Sequence, residues 1–168
     1  SALVVSVEPD DFGGNHPLAG VEFQRKWEKL AFQVGGKDNS APVQRLSDFI
    51  NGTVGPLGPV KPSYTGNTRT ADINECLPSF VCNHMKESIG YFDRKMKGFG
   101  MGAAVLTGVE TRTSAPVRIP RGETLEAVGI SGLYPAGEGA GYAGGIVSAA
   151  VDGIRIAERI VSVYEPMI

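Results

Sequence analysis

Residues 137–145, GEGAGYAGG, carry the most suggestive spacing in the chain: Gly139-x-Gly141-x-x-Gly144, set between an apolar run and a long amphipathic stretch. Glycines so placed let an incoming strand turn sharply into a helix. They also let the backbone approach a ligand that the helix's free N–H groups then face. One use of that geometry is a dinucleotide fingerprint, and Glu165, about 20 residues further on, stands where the acidic ribose ligand of that fingerprint is expected. Three features oppose it. Glu138 precedes the first glycine and would bring a negative charge to a pyrophosphate, only three residues follow Glu165, and 145–163 read as one helix. A second use keeps the geometry and changes the ligand. A helix N-terminus stabilises the electron-rich N1/O2 edge of a flavin, while a carboxylate such as Glu138 accepts a hydrogen bond from a sugar-alcohol hydroxyl. A third use is a phosphate or other anion held by a stand-alone, non-catalytic binding module.

The second stretch with chemical potential is GVETRTSAPVRIPR, 108–121. On a strand, Glu110, Arg112 and Ser114 share one face, and Thr111 and Thr113 the other. A Glu–Arg pair beside hydroxyls could orient a polar or anionic substrate, which makes Glu110, Arg112, Thr113 and Ser114 candidate substrate residues. The competing reading is a solvated charged strand face. Either His16 or His84 could serve as a proton donor near a bound ligand, and an ordinary structural or surface role is the favoured reading for both. Cys76 and Cys82 have neither redox nor zinc spacing and read as buried, inert thiols. Neither a metal cluster nor a Ser/His/Asp constellation can be built from spacing, so no catalytic residue is named.

The elements that must position these residues follow from periodicity. ALVVSV (2–7) reads as a short buried strand. Phe23, Trp27, Leu30, Ala31 and Val34 form one apolar face of a helix over 17–34, ended by Gly35-Gly36. APVQRLSDFING reads as a short helix or a strand, with the helix favoured, and 51–70, with three prolines and four glycines, as a long ordered loop or a linker-like excursion. Asp72-x-x-Glu75 resembles a capping box. Cys82, Met85, Ile89, Phe92 and Met96 predict a helix over 79–97. Strands are expected at 103–111, 116–120 and 128–136, then a closing helix over 145–163 with Ile146, Val147, Ala150, Val151, Ile154, Ala157 and Val161 as its apolar stripe. This order lacks the strict βαβα alternation of a doubly wound domain and points to α+β.

Composition narrows the function classes. The 168 residues are 20% charged and 42% hydrophobic, with a net charge of −2. That is an ordinary globular balance, with no general electrostatic reason to bind nucleic acid or anionic membrane. No apolar run of about 18 residues exists to span a bilayer. The start has no signal-peptide pattern, and the thiols give no disulfide pattern, so a cytoplasmic home is expected. There are 23 glycines, about twice the ordinary share. They are clustered, which argues for tight loops. The opening SALVVSVEP lacks an initiator Met and enters a β-type run at once, as the middle of a longer protein would; a processed start or an expression scar explains it equally.

GLYPAGEGAGYAGGIVSAAVDGIRIAE resembles the C-terminal FAD motif of a bacterial family of FAD-dependent, or NAD(FAD)-utilising, dehydrogenases, distantly similar to glutathione-reductase-type flavoproteins. SVEPDDFG, HPLAGVEFQRKWEKLAF, APVQRLSDF and GVETRTSAPVRI resemble that family's middle and last thirds, so the likeness covers essentially the whole chain. The resemblance implies a C-terminal portion with a partial FAD-dependent oxidoreductase fold: a substrate-type domain over 1–127, then over 128–168 the terminal FAD-contacting strand, glycine turn and helix. It implies FAD in the parent protein, with room for NAD(P) and a small-molecule substrate. Gly137 and Glu138 would lie beside the ribityl chain. Gly141, Tyr142, Ala143, Gly144, Gly145 and Ile146 would lie at the pyrimidine edge of the ring. The family's N-terminal G-x-G-x-x-G has no counterpart here. A tRNA-modifying flavoenzyme shares a similar terminal motif, but the lack of net positive charge weighs against RNA. A face that a missing half would bury predicts self-association when left uncovered.

Overall fold

A computed structural model describes residues 1–164. They form two compact units, one of Ser1–Phe12 with Phe23–Thr111, the other of Gly13–Glu22 with the residues from Arg112 onward.

The first unit is built around a three-stranded mixed sheet of order β2-β1-β3. Strand β1 (Ala41–Arg45) is central. It runs parallel to β2 (Thr68–Thr70), with Val43 opposite Thr70, and antiparallel to β3 (Val105–Thr107), with Gln44 opposite Leu106. Helix α1 (Ala19–Val34) begins at its N-terminal turn in the second unit and continues in the first. Helices α2 (Leu46–Asn51) and α3 (Ser79–Lys95) complete the first unit. Ala31, Leu46, Phe49, Ile73, Cys76, Val81, Cys82, Met85 and Ile89 form one apolar core, against which Leu30 and Val34 pack. The expected faces of α1 and α3 are therefore the ones that bury. On α3 the stripe fades after Ile89, since Phe92 is half-buried and Met96 exposed.

One polar side chain sits in that core. Gln44 is fully buried on β1. Its amide donates to the Thr53 carbonyl at 2.7 Å and to Asp72 Oδ1 at 3.2 Å, and its Oε1 accepts from the Ile73 N–H at 2.9 Å. Buried polar groups are tolerated when so paired, and these three bonds tie both ends of the long loop to the sheet. Asp72 caps the short turn Ile73–Cys76 by accepting from Asn74 N–H at 3.0 Å, while the Glu75 side chain of the expected box is exposed.

Several expected elements differ. APVQRLSDFING splits into β1 and α2 rather than forming one helix. Residues 2–7 form no strand; Leu3 and Val5 pack on the core without ladder bonds. The strand expected over 103–111 is only Val105–Thr107: it starts opposite Arg45, where β1 ends, and after Thr107 the chain keeps one further bond to β1, from the Gly108 N–H to the Pro42 carbonyl at 3.0 Å. Segment 116–120, bounded by two prolines that cannot donate to a ladder, is irregular. Segment 128–136 is a succession of turns, and Gly129 and Gly132 both take positive φ, at 81° and 76°, which breaks a pleated run. Among the described residues, the β pairing in this region is an isolated bridge between Arg121 and Ala127.

The second unit carries helix α4 (Ile146–Val163), matching the expected closing helix. Its burial runs against its pattern. Ile146 is 91% exposed and Val147 76%, and Val151, Ile154 and Val161 are exposed as well. The buried residues of α4 are Asp152 and Ile156.

Candidate functional site

The glycine stretch forms a closed backbone turn. The Gly141 N–H donates to the Glu138 carbonyl at 2.9 Å, and the Tyr142 N–H to the Gly137 carbonyl at 2.9 Å. Gly137 and Gly141 take positive φ, 65° and 80°, a region open to glycine and costly for side chains with a Cβ. At Gly141 there is a second constraint, since a Cβ there would lie 2.7 Å from the Val117 carbonyl oxygen and 3.0 Å from Arg118 Cα.

Two side chains absent from the sequence-derived set fix this turn. The Asp152 carboxylate reaches back from α4 and accepts the Gly137 N–H at 2.8 Å. The same carboxylate is gripped by both arms of the Arg121 guanidinium, Nη1 at 3.0 Å from Oδ2 and Nη2 on Oδ1. Both side chains are about nine-tenths buried, at 10% and 8% exposure. Arg121 Nη1 also donates to the Pro135 carbonyl at 2.8 Å. The guanidinium lies 3.7 Å from the centroid of the Tyr142 ring, and that of Arg118 lies 4.4 Å from it. Tyr142 OH accepts the Arg121 backbone N–H and donates to the Ile119 carbonyl, both at 3.0 Å. The hydrogen bonds from Arg121, and next the Gly137 N–H, outweigh burial and hold the Asp152 carboxyl down to about 2. Arg121 is raised by its bonds to Asp152. A bidentate, desolvated Arg–carboxylate pair is geometrically specific. Here it joins α4, the turn and the 117–121 segment.

The remaining positions of the turn are open. A Cβ at Gly139 or Gly144 would meet nothing within 4 Å, and one at Gly145 would meet only Ser148 Oγ at 3.9 Å. Gly145 N-caps α4 with no side-chain capping bond, so the first N–H groups of α4 keep the donor capacity common to helix starts. Ala143 is half-buried and Ile146 exposed. Glu138 is half-exposed, and among the described residues its carboxylate has no hydrogen-bond or ion-pair partner. The structure thus brings Gly137, Glu138, Gly141, Tyr142, Ala143, Gly144, Gly145 and Ile146 together as one turn and helix start, entered without the expected strand. Glu165 lies outside the described residues.

The second candidate group is placed differently from expectation. Glu110, Arg112, Thr113 and Ser114 are exposed and lie in irregular chain beyond β3, so the strand alternation that set Glu110, Arg112 and Ser114 on one face does not operate. Glu110 belongs to the first unit and the other three to the second. In the first unit Thr111 is anchored to α1: its hydroxyl donates to Glu28 Oε1 at 2.8 Å and its carbonyl accepts from Gln24 at 2.7 Å. His16 accepts the Leu18 N–H on Nδ1 at 3.2 Å just before α1, and His84 is exposed on α3, its ring in a T-shaped contact with Phe80. Cys76 and Cys82 are buried free thiols, and burial pushes Cys76 up to about 12. Among the described residues no group of three or more His, Cys, Asp or Glu could hold a metal ion, and no helix is long and apolar enough to cross a membrane.

Asp152 gave no sequence signal, since it lies on the polar side of α4, opposite the apolar stripe. Arg121 gave none either, since its partner is 31 residues away.

Comparison with known proteins supplies the family. The chain is 54% identical over 166 residues to an uncharacterized protein of Clostridium beijerinckii, a match that covers 98% of this chain and 31% of the relative. It therefore spans about a third of that relative's length, and the glycine turn and α4 fall within the match. Residues 1–113, the β1–β3 sheet with α1 to α3, match the family described as FAD-dependent protein, C-terminal domain-like, and the chain belongs to that family.

Proposed function

We propose that the longer protein is a flavoenzyme, a bacterial cytoplasmic FAD-dependent dehydrogenase distantly similar to glutathione-reductase-type proteins, and that this chain forms its C-terminal part. In this reading residues 1–127 are the substrate-type domain and 128–168 are the FAD-contacting turn and helix of a partial FAD-dependent oxidoreductase fold. The observation that carries the reading is the open backbone at Gly139, Gly144 and Gly145. Among the described residues no neighbour crowds a Cβ at these glycines, unlike at Gly141, and a ligand lying against the backbone would require them.

The residues fit a flavin nucleotide. FAD, when bound, supplies the hydride or electron transfer. The chain's part is to hold it: Glu138 offers an acceptor for a sugar-alcohol hydroxyl, and the uncapped N–H groups at the start of α4 offer donors to an electron-rich edge. Arg112, Thr113 and Ser114 contribute to binding a small-molecule substrate, and NAD(P) serves as an exchange partner. The exposed apolar stripe of α4, which soluble monomers rarely leave open, is covered by the rest of the longer protein or by a second copy of the chain. The uncapped start of α4 also suits a stand-alone module that binds an anion without catalysis.

Flavin uptake separates the two. This chain and a form spanning the full length of the Clostridium relative are purified, scanned for the visible flavin spectrum, and titrated with FAD. Flavin in the longer form supports the flavoenzyme, and Glu138→Ala then weakens it. No flavin in either form leaves the anion-binding module.

A further inference from the structure

We infer that Asp152 and Arg121 are positioning residues for the cofactor: their ion pair, braced on the Tyr142 ring, sets the conformation in which the glycine turn receives its ligand. The inference rests on the proposed flavin function and adds two residues that act on the site without touching the ligand.

Burying charge is costly. Asp152, on the covered face of α4 beside Ile156, and its partner Arg121 are both about nine-tenths buried, while the apolar stripe of α4 lies on the opposite, exposed face. A buried ion pair is weak evidence for stability, because desolvation offsets much of the attraction. Its geometry is the informative part. One carboxylate oxygen, Oδ2, is shared between Arg121 Nη1 at 3.0 Å and the Gly137 N–H at 2.8 Å. Gly137 opens the turn and carries positive φ. Its carbonyl closes the turn by accepting from Tyr142. Tyr142 in turn lies against the Arg121 guanidinium and fixes the Arg121 backbone through its hydroxyl. The bonds therefore form a closed circuit, from Asp152 to Gly137, to Tyr142, to Arg121 and back to Asp152. Every link of this circuit holds the turn against α4, and none uses the open faces of Glu138, Gly139 or Gly144.

An isosteric change tests the circuit. Asp152→Asn retains an oxygen for the Gly137 N–H but removes the charge that grips Arg121. Arg121→Gln removes the other half. Each is made in the longer protein and combined as a double variant. Amide hydrogen exchange over 133–145 is measured without flavin, alongside FAD affinity and the position and fine structure of the bound flavin spectrum. We expect each single variant to speed exchange within 137–142 while the last turns of α4 keep their protection. FAD binding weakens about tenfold, the loss corresponding to one charge-assisted bond, and the spectrum shifts. The double variant is no worse than the singles, as for two members of one unit.

Unchanged exchange in the turn, or losses that simply add, overturns the circuit. Faster exchange with unaltered FAD affinity and spectrum overturns its role toward the cofactor. If the unmodified longer protein takes up no flavin while the variants still loosen the turn, the flavin reading fails and the positional device stands, acting on a different ligand.

Discussion

The carboxylate of Asp152 accepts the backbone N–H of Gly137 across 2.8 Å, so a residue six positions into α4 holds the first glycine of the turn that leads into that helix. The face of α4 that carries Asp152 and Ile156 is covered, and the opposite face, with Ile146 and Val147, is exposed.

The Asp152 contribution has a defined pH window. Its carboxyl is held down to about 2 by Arg121 and the Gly137 N–H. A depressed acid stabilises the fold fully above the ordinary carboxylate range, about 3.9, and loses that stabilisation as the pH falls through its folded value. Asp48 and Asp38 are also held low by their hydrogen bonds, so the comparison must be between variants. Urea denaturation of the native protein and of Asp152→Asn should differ by a constant amount from neutrality down to about pH 5, with the gap closing toward about pH 2.

Gly141→Ala should destabilise the second unit by about 1–3 kcal/mol, because it adds a Cβ at positive φ and presses it on the Val117 carbonyl. Thermal denaturation checks this, with Gly139→Ala as the comparison that meets no neighbouring atom.

Gln44→Leu should destabilise the first unit despite being more apolar. The buried Ile73 N–H loses its acceptor and the Thr53 carbonyl its amide donor, and one orphaned buried group costs about 1–3 kcal/mol. Chemical denaturation measures the loss. A neutral or stabilising result would mean that water or a shift of the loop satisfies them.

Cys76 and Cys82 should resist iodoacetamide at neutral pH in the native protein and react after unfolding. Both are buried in the core cluster, and burial raises both thiols, which leaves little thiolate to attack. Mass spectrometry of alkylated protein reads the outcome.

The helices were legible because α1, α3 and α4 carry long 3.6-residue patterns with a glycine or proline near their ends. The strands were not. β1 contains Pro42, Gln44 and Arg45, and β2 is the three polar-edged residues Thr68–Thr70, so neither presents an apolar alternation. Conversely, ALVVSV and the 128–136 run look like strands and form none here. Strand pairing depends on a partner as well as on β-branched residues. The glycine turn could be found by spacing, whereas the Arg121–Asp152 pair depends on contact between distant segments that no local pattern encodes.

The most direct test of the central claim, that the turn's open glycines face FAD, is FAD titration of the longer protein against its Gly144→Val variant, with thermal denaturation of both apo forms. A side chain at Gly144 meets no atom of the described chain within 4 Å of its Cβ, so the fold should be unaffected. The account predicts an unchanged melting temperature together with loss of flavin binding. Full flavin binding with a valine at that position would contradict it.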